Sequence, residues 1–263
     1  MRLGVALPFH AVAIADAARA AERHGFDSVW VLDAHNRGFM LPDPFVALAI
    51  AASVTERVEV GSSIIQVPLR PPFLLAEQVG SVSAAARGRF LFGVGAGSTP
   101  GDFAAFGLEF ANRFRLLDRN LAITRRLLRG EEVDGTRLSP WESVSCPPIL
   151  VGTYGGSRWL RRAATDFDGW IASARSTELP QMVEGLQRFR ELGGGKRAIA
   201  ANLAAARPDA ADILAALAEA GFDDATLIIE RHTDENLAHA RSLFDDQRHR
   251  RGASPSRGRP SDR

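Results

Sequence analysis

FLLAEQVGSVSAAARGRFLFGVGAG, residues 73–97, is a helix-forming stretch (73–86) followed by an apolar run of strand length, Phe90–Gly97. The run is continuous rather than alternating, as in a strand buried on both faces of a parallel sheet. The same unit recurs in both directions along the chain. Apolar runs lie at Leu3–Phe9, Ser28–Asp33, Val58–Val67, Ile149–Tyr154, Gly169–Ser173, Ala198–Ala205 and Ala225–Glu230, which with Phe90–Gly97 makes eight. Between and after them come amphipathic or Ala-rich helical stretches at 12–24, 44–55, 113–129, 156–166, 177–192, 210–220 and 233–245. Asp43-Pro44 and Pro208-Asp209 open two of these, and Gly25, Gly130 and Gly221 close three. Eight β-α pairs in about 245 residues predict a closed (β/α)8 TIM barrel in a single domain, residues 1–246. A doubly wound open sheet is the alternative. It would carry a Gly-rich phosphate turn after its first strand, where this chain reads Pro8-Phe9-His10-Ala11.

Composition narrows the function classes. The chain has 263 residues, 46% of them hydrophobic, enough for a full core. No apolar run approaches the ~18 residues of a membrane span, and the N-terminal stretch, interrupted by Pro8, His10 and Asp16, does not read as a signal peptide. One cysteine, Cys146, excludes an internal disulfide framework and Cys-rich metal sites. A reducing, cytoplasmic setting is expected. The net charge of +1 is uneven: six Arg and one Asp give residues 247–263 a charge of +5, leaving −4 for the remainder. Those last residues, rich in Arg, Ser, Pro and Gly, read as a disordered basic tail, and the mildly acidic body offers no nucleic-acid surface. Lys196, the only lysine, sits after Gly193-Gly194-Gly195 in a turn and is a poor Schiff-base candidate.

In a barrel of this type the active site forms where the strands end. The candidates are therefore Phe9-His10, Asp33 with His35, Ser62-Ser63-Ile64-Ile65-Gln66, Gly95-Ala96-Gly97-Ser98, Thr153-Tyr154 with Gly155-Gly156-Ser157, Ser173, Asn202, and Glu230-Arg231-His232. Gly93-Val94-Gly95-Ala96-Gly97 lacks dinucleotide-fingerprint spacing. Its small residues would let a flat ring lie against the backbone, or would relieve crowding inside the barrel. Gly155-Gly156-Ser157 opens a helix and presents N–H groups suited to a phosphate, or is an ordinary β-α turn. Arg57 and Arg89, which begin strands, and Glu22, late in the first helix, read as structural. His10, His35 and His232 with Asp33 and Glu230 raise a metal-dependent hydrolase as a rival, although His10 lacks a paired histidine on its strand and no strong ligand comes from strands four to six.

Several segments, in order, resemble the bacterial luciferase-like family of flavin- and F420-dependent oxidoreductases: AERHGFDSVWVLD (21–33), DPFVALAIAASVTERVEVGSSI (43–64), PLRPPFLLAEQVGSVSAAARGRFLFGVGAG (68–97), FGLEFANRFRLLDRNLAITRRLLRGEEV (106–133) and PPILVGTYGGSRWLRRAATDFDGWI (147–171). The likeness covers residues 1–173 well and 174–245 loosely. It implies a luciferase-like TIM barrel with FMN or F420 at its mouth. It further implies a non-proline cis peptide at Ser63-Ile64, with Ser62, Ser63, Ile64, Gly95, Ala96 and Gly97 beside the ring. Tyr154, Gly155, Gly156 and Ser157 would hold the phosphate end, and Asp33 or His35 would handle the proton. The family's histidine directly follows the acid, whereas here Ala34 intervenes. The insertion loops are shorter than usual. The expectation is hydride transfer between F420 and a small organic substrate, by a homodimer served by an F420 or flavin reductase, with no metal, nucleic acid or membrane involved. An FMN-dependent monooxygenase using O2 is the alternative within the family, and a non-catalytic flavin-binding protein lies outside enzymes altogether.

Overall fold

The computed structural model describes residues 1–9, 13–139, 141, 144–195 and 197–252. His10 and Lys196 lie outside the described residues, as does the tail from residue 253 onward.

Eight staves form the barrel. In ring order they are β1 (Arg2–Ala6), β2 (Ser28–Val31), β3 (Glu59–Ser62), β5 (Phe90–Gly95), β8 (Ile149–Gly152), β9 (Gly169–Ser173), β10 (Arg197–Ala204) and β11 (Asp224–Ile228). All neighbours are parallel, and β11 pairs back onto β1 to close the ring. The third stave is not the continuous run expected from the sequence. It breaks after Ser62 at a cis Ser63–Ile64 peptide and resumes as β4 (Ile65–Gln66), which pairs with the end of β5.

The helices that cover the ring are α1 (Ile14–Arg23), α2 (Pro44–Val54), α3 (Pro72–Ala86), α5 (Arg113–Leu128), α6 (Trp159–Thr165), α7 (Leu179–Glu191), α8 (Ala210–Ala220) and α9 (Asp234–Gly252). Asp43 caps α2 by accepting from the N–H groups of Phe45 (2.9 Å) and Val46 (3.1 Å), with Pro44 preset in the first turn. Gly221 ends α8 in the left-handed conformation, φ +96°, that a side chain would disfavour. α9 carries the helical backbone six residues past the boundary at 246 drawn from the sequence. Three short elements were not foreseen. They are the short helix α4 (Pro100–Ala105) and the hairpin of β6 (Glu132–Val133) with β7 (Thr136–Arg137).

Most apolar side chains pack between the ring and its helices. A second, smaller cluster plugs the ring itself: Trp30, Leu91, Leu150, Ile171, Ile199 and Ala201. Trp30 fits because Gly4 and Gly61 face it. A Cβ on Gly61 would meet the indole at 2.5 Å, and one on Gly4 would meet its Nε1 at 2.7 Å. The indole N–H is satisfied by Ser28 Oγ at 2.7 Å.

The residues read as structural behave so. Glu22 accepts from the N–H groups of Glu56, Arg57 and Val58, at 3.1, 2.7 and 3.0 Å, and fixes the entry to β3. Arg89 donates to the carbonyls of Ala52, Thr55 and Val58. Among the described residues, no helix is long and apolar enough to cross a membrane.

Candidate active site

A cavity of about 260 Å³ opens at the C-terminal ends of the staves. Its centre is a buried carboxylate. Asp33, just past β2, has a fully buried side chain, and Arg70 grips both of its oxygens, at 2.5 and 3.0 Å. The main-chain N–H of Gln66 donates to Oδ2 at 2.8 Å, and His35 Nε2 lies 2.9 Å from Oδ1, off the line of a hydrogen bond. Burial alone would push the Asp33 carboxyl up. His35, Arg70 and the Gln66 N–H outweigh it and hold the group below the ordinary carboxylate range. A carboxylate held in this way is an anchor.

A second ionic knot ties two loops together over the cavity. Arg37, after β2, meets both oxygens of Asp102 in α4, with the Nη2–Oδ2 contact at 3.1 Å, and also reaches Thr99 Oγ1 at 3.2 Å. Asp102 is 1% exposed. Its Oδ2 accepts from Gln66 Nε2 at 2.8 Å, and the same nitrogen donates to the Asp33 carbonyl at 2.9 Å. Gln66 thus joins the two ion pairs. Its Oε1 is buried and has no donor among the described residues, a state that costs about 1–3 kcal/mol when nothing fills it.

The expected ring-binding residues divide. Ser63, Ile64, Gly95, Ala96 and Gly97 line the cavity, but Ser62 does not. Ser62 Oγ donates to the Gly93 carbonyl at 2.9 Å inside the wall. The glycines answer to the protein's own packing. A Cβ on Gly93 would collide with the Ser62 carbonyl, one on Gly95 would meet Ile64 at 2.9 Å, and one on Gly97 would collide with Gln66 Oε1. Gly97, at φ +77°, also needs glycine's backbone freedom. The crowding reading therefore holds for Gly93, while Gly95–Gly97 form a thin wall that is also exposed to the cavity. Opposite them is Asn202, where the register of β10 against β11 shifts. This bulge turns its amide onto Ser63, whose Oγ lies 3.3 Å from Oδ1 and whose carbonyl lies 3.4 Å from Nδ2.

Of the expected phosphate group, Tyr154 alone lines the mouth, 57% exposed. Gly155 packs against α7, where a Cβ would meet the Gly185 Cα at 2.6 Å. Ser157 Oγ accepts from the Trp159 N–H at 3.2 Å and so caps α6 itself. Gly156 is exposed and does not line the cavity.

His35 is also outside the lining, its ring edge-on to Phe106 at 4.8 Å between centroids. His232 donates from Nε2 to the Ala6 carbonyl at 2.7 Å. Among the described residues, no group of three or more His, Cys, Asp or Glu side chains gathers as metal ligands would. The sequence reading missed Arg70, Arg37, Asp102 and Thr99. For Arg70 a signal was present: it stands in the apolar, proline-rich stretch VPLRPP (67–72), where an arginine is out of place unless paired.

The sequence model of the luciferase-like monooxygenase family matches residues 1–260. The chain belongs to that family. Its members are oxidoreductases and monooxygenases, and the resemblance drawn from the ordered segments is confirmed. An uncharacterized protein of Mycobacterium tuberculosis is 31% identical over 207 residues, 67% of this chain and 71% of that one. The barrel superposes on monooxygenase RslO1 from Streptomyces bottropensis with a TM-score of 0.75, 19% identity and coverage of 96% and 100% of the two chains. It superposes on the coenzyme F420 dependent tetrahydromethanopterin reductase of Methanopyrus kandleri with a TM-score of 0.70 at 14% identity, covering 93% and 98%. For the oxygenating constituent of 3,6-diketocamphane monooxygenase of Pseudomonas putida, solved with FMN, the values are 0.65, 20%, 78% and 67%. At these identities the superpositions establish the luciferase-like barrel.

Proposed function

We propose that the cavity binds a flavin-type cofactor, F420, and that the protein transfers a hydride between it and a small organic substrate. The observation that carries this reading is the mouth itself. A wall of Gly95, Ala96 and Gly97 stands with Ile64 along one side of the cavity. Small wall residues admit a flat ring against the backbone. When bound, F420 would supply the two-electron chemistry. The choice of F420 over FMN rests on the resemblance of this short chain to the deazaflavin branch. FMN, with oxygen as co-substrate, is the alternative.

The chain's own residues orient and exclude water. Asp33 and Arg70 fix the rim beside β4. Asn202 holds Ser63, and the Arg37–Asp102 pair keeps the two loops together. His35, its Nε2 2.9 Å from Asp33 Oδ1, is the imidazole assigned to proton handling.

A second copy of the chain is the partner this reading adds. α2, PFVALAIAASV, is apolar on all sides, yet Val46 is 59% exposed, and Phe73 and Leu74 at the start of the neighbouring α3 are 40% and 46% exposed. Such a helix is normally covered. Light scattering should give twice the chain mass, and Val46→Glu should return it to one. A monomeric wild type would remove the dimer.

The function is tested by titrating apo-protein with oxidised F420 and with FMN while following fluorescence. Micromolar binding of F420 with negligible FMN binding supports the proposal. Tight FMN binding with oxygen uptake on turnover moves the assignment to a monooxygenase. Binding of neither removes the cofactor site.

A further inference from the structure

We propose that the substrate is a neutral, largely apolar molecule, held on the rim of the cavity by Phe39, Met40, Phe106 and Tyr154. This rests on the cofactor reading above and deepens it by naming the substrate class. Large apolar side chains gathered in water around a cavity mark a binding surface. Phe39, Met40 and Phe106 are 58%, 93% and 46% exposed, and Tyr154 is similarly open. Apart from the α2–α3 face and Trp141, these four are the exposed large apolar side chains among the described residues. All four stand at the C-terminal ends of the staves. Tyr154 lines the cavity itself. Phe106 follows α4 and lies edge-on to His35, whose Nε2 is 2.9 Å from Asp33. Phe39 and Met40 lie between Arg37, in the cavity wall, and Leu41-Pro42, which border a small recess with Leu7 and Phe9 past β1. That segment therefore runs along the edge of the mouth.

Two properties of the cavity say what the rim can hold. Its volume, about 260 Å³, lies below the ~300–1,000 Å³ usual for a small-molecule site. A three-ring cofactor takes up most of such a space. The reacting end of the substrate then meets the ring, and the rest lies outside on the rim. The second property is charge. The charged residues of the lining are Asp33, Arg37 and Asp102. Asp33 is committed to Arg70, and Arg37 to Asp102. An ionic reacting end would lose water there and find no free counter-charge. The neutral lining groups Ser63, Thr153, Ser173 and Asn202 can serve a hydroxyl or a carbonyl. An apolar remainder gains by covering the exposed side chains of the rim. Phe106 sets that apolar surface beside His35, the imidazole assigned to proton handling.

The probes are alkan-2-ones from butanone to decan-2-one, and 2-oxoalkanoates of the same lengths, which place a carboxylate beside the carbonyl. Each is titrated by calorimetry into protein loaded with whichever of F420 and FMN it binds. Affinity for the ketones should rise about two- to fourfold per added methylene. The heat-capacity change of binding should grow more negative along the series. The oxoalkanoates should bind about tenfold more weakly, for want of a counter-charge. Phe39→Ser combined with Met40→Ser alters side chains that stand mostly in water. It should flatten the dependence on chain length and leave cofactor affinity unchanged. Ketone affinity independent of chain length overturns the inference and leaves the cofactor reading intact. So does equal or tighter binding of the oxoalkanoates, or an undiminished dependence in the double variant. A fall in mass by light scattering on the double substitution also overturns it, by giving the rim to a second copy of the chain. Failure of both F420 and FMN to bind wild type removes the inference and the cofactor reading together.

Discussion

Buried charge is found at both ends of the barrel, and the two ends use it differently. At the N-terminal end, Arg197 on β10 clasps Asp224 on β11 through two bonds of 2.6 Å and reaches Glu59 on β3 at 2.7 and 3.1 Å. Arg2 on β1 adds a bond of 2.6 Å to the same Glu59. β3 and β10 are not neighbours in the ring, so this network crosses the floor and closes it. Both carboxylates of this network, Asp224 and Glu59, are hydrogen-bonded through both of their oxygens. At the C-terminal end the Asp33–Arg70 and Arg37–Asp102 pairs stand around the cavity rather than across it, and they leave Gln66 Oε1 and His35 Nε2 without hydrogen bonds. The closed network fastens staves. The open one fastens loops beside the cavity and, among the described residues, leaves two buried polar atoms unpaired. In a (β/α)8 barrel this is the division between a stability face and an active-site face, here visible in which atoms are satisfied.

The largest expected effect breaks the closed end. Arg197→Met leaves Asp224, 1% exposed, and Glu59 with Arg2 alone. Losing one partner of a buried pair costs about 3–5 kcal/mol, a large share of the ~5–15 kcal/mol of a typical fold. Urea unfolding should report that loss, while the folded fraction should bind cofactor as wild type does. A change in affinity without a change in stability would contradict the division.

Arg70→Met attacks the open end and should cost less, about 3 kcal/mol, because Asp33 keeps the Gln66 N–H and His35 nearby. It should also weaken cofactor binding, which Arg197→Met should not. Adding Asp33→Asn removes the stranded charge. The double variant should regain part of the stability and little of the affinity. Recovery of both would mean that Arg70 serves only to neutralise Asp33.

Acid should loosen both ends. Glu59, like Asp33, is held below its ordinary pKa: burial raises it, and Arg197 and Arg2 more than reverse the effect. For a carboxyl with a depressed folded pKa, the added stability is complete above the unfolded value. It is lost as the pH falls through the folded one. Unfolding free energy should therefore be flat near neutrality and decline on acidification below the ordinary glutamate value of 4.5. Glu59→Gln should lower the plateau and shallow the decline. An unchanged acid slope in that variant would place the titrating group elsewhere.

The same contrast explains what the sequence could and could not reveal. The staves were legible because each is a local apolar run, and the fold places their ends at one mouth. Asp33, Ser63, Ile64, Gly95, Ala96, Gly97 and Tyr154 arrive there on that logic alone. Arg70 and Asp102 did not, because their meaning lies in partners 37 and 36 residues away, Asp33 and Gln66. Gly155 and Ser157 stand outside the cavity lining for the same reason. Locally they form a turn that opens a helix. The contact of Gly155 with Gly185 and the capping of α6 by Ser157 Oγ take them out of the cavity.

The smallest effect is the most discriminating. Asp102→Asn keeps the shape of the loop strap and removes its charge. Arg37 is partly exposed, so the lost attraction should cost only about 1 kcal/mol of stability. Its larger consequence is for Gln66. A carboxylate can only accept, whereas an asparagine can turn its N–H toward the neighbouring amide and allow Gln66 to flip. The Asp33 carbonyl still resists the flip, so the orientation should be weakened rather than lost. Cofactor release, followed by stopped-flow fluorescence after dilution, should therefore quicken several-fold while the unfolding midpoint barely moves. Equal losses in midpoint and affinity would mean that Asp102 only fastens the loops. Faster release at nearly constant stability would mean that this end of the barrel uses a buried charge to fix the Gln66 amide in the cavity wall.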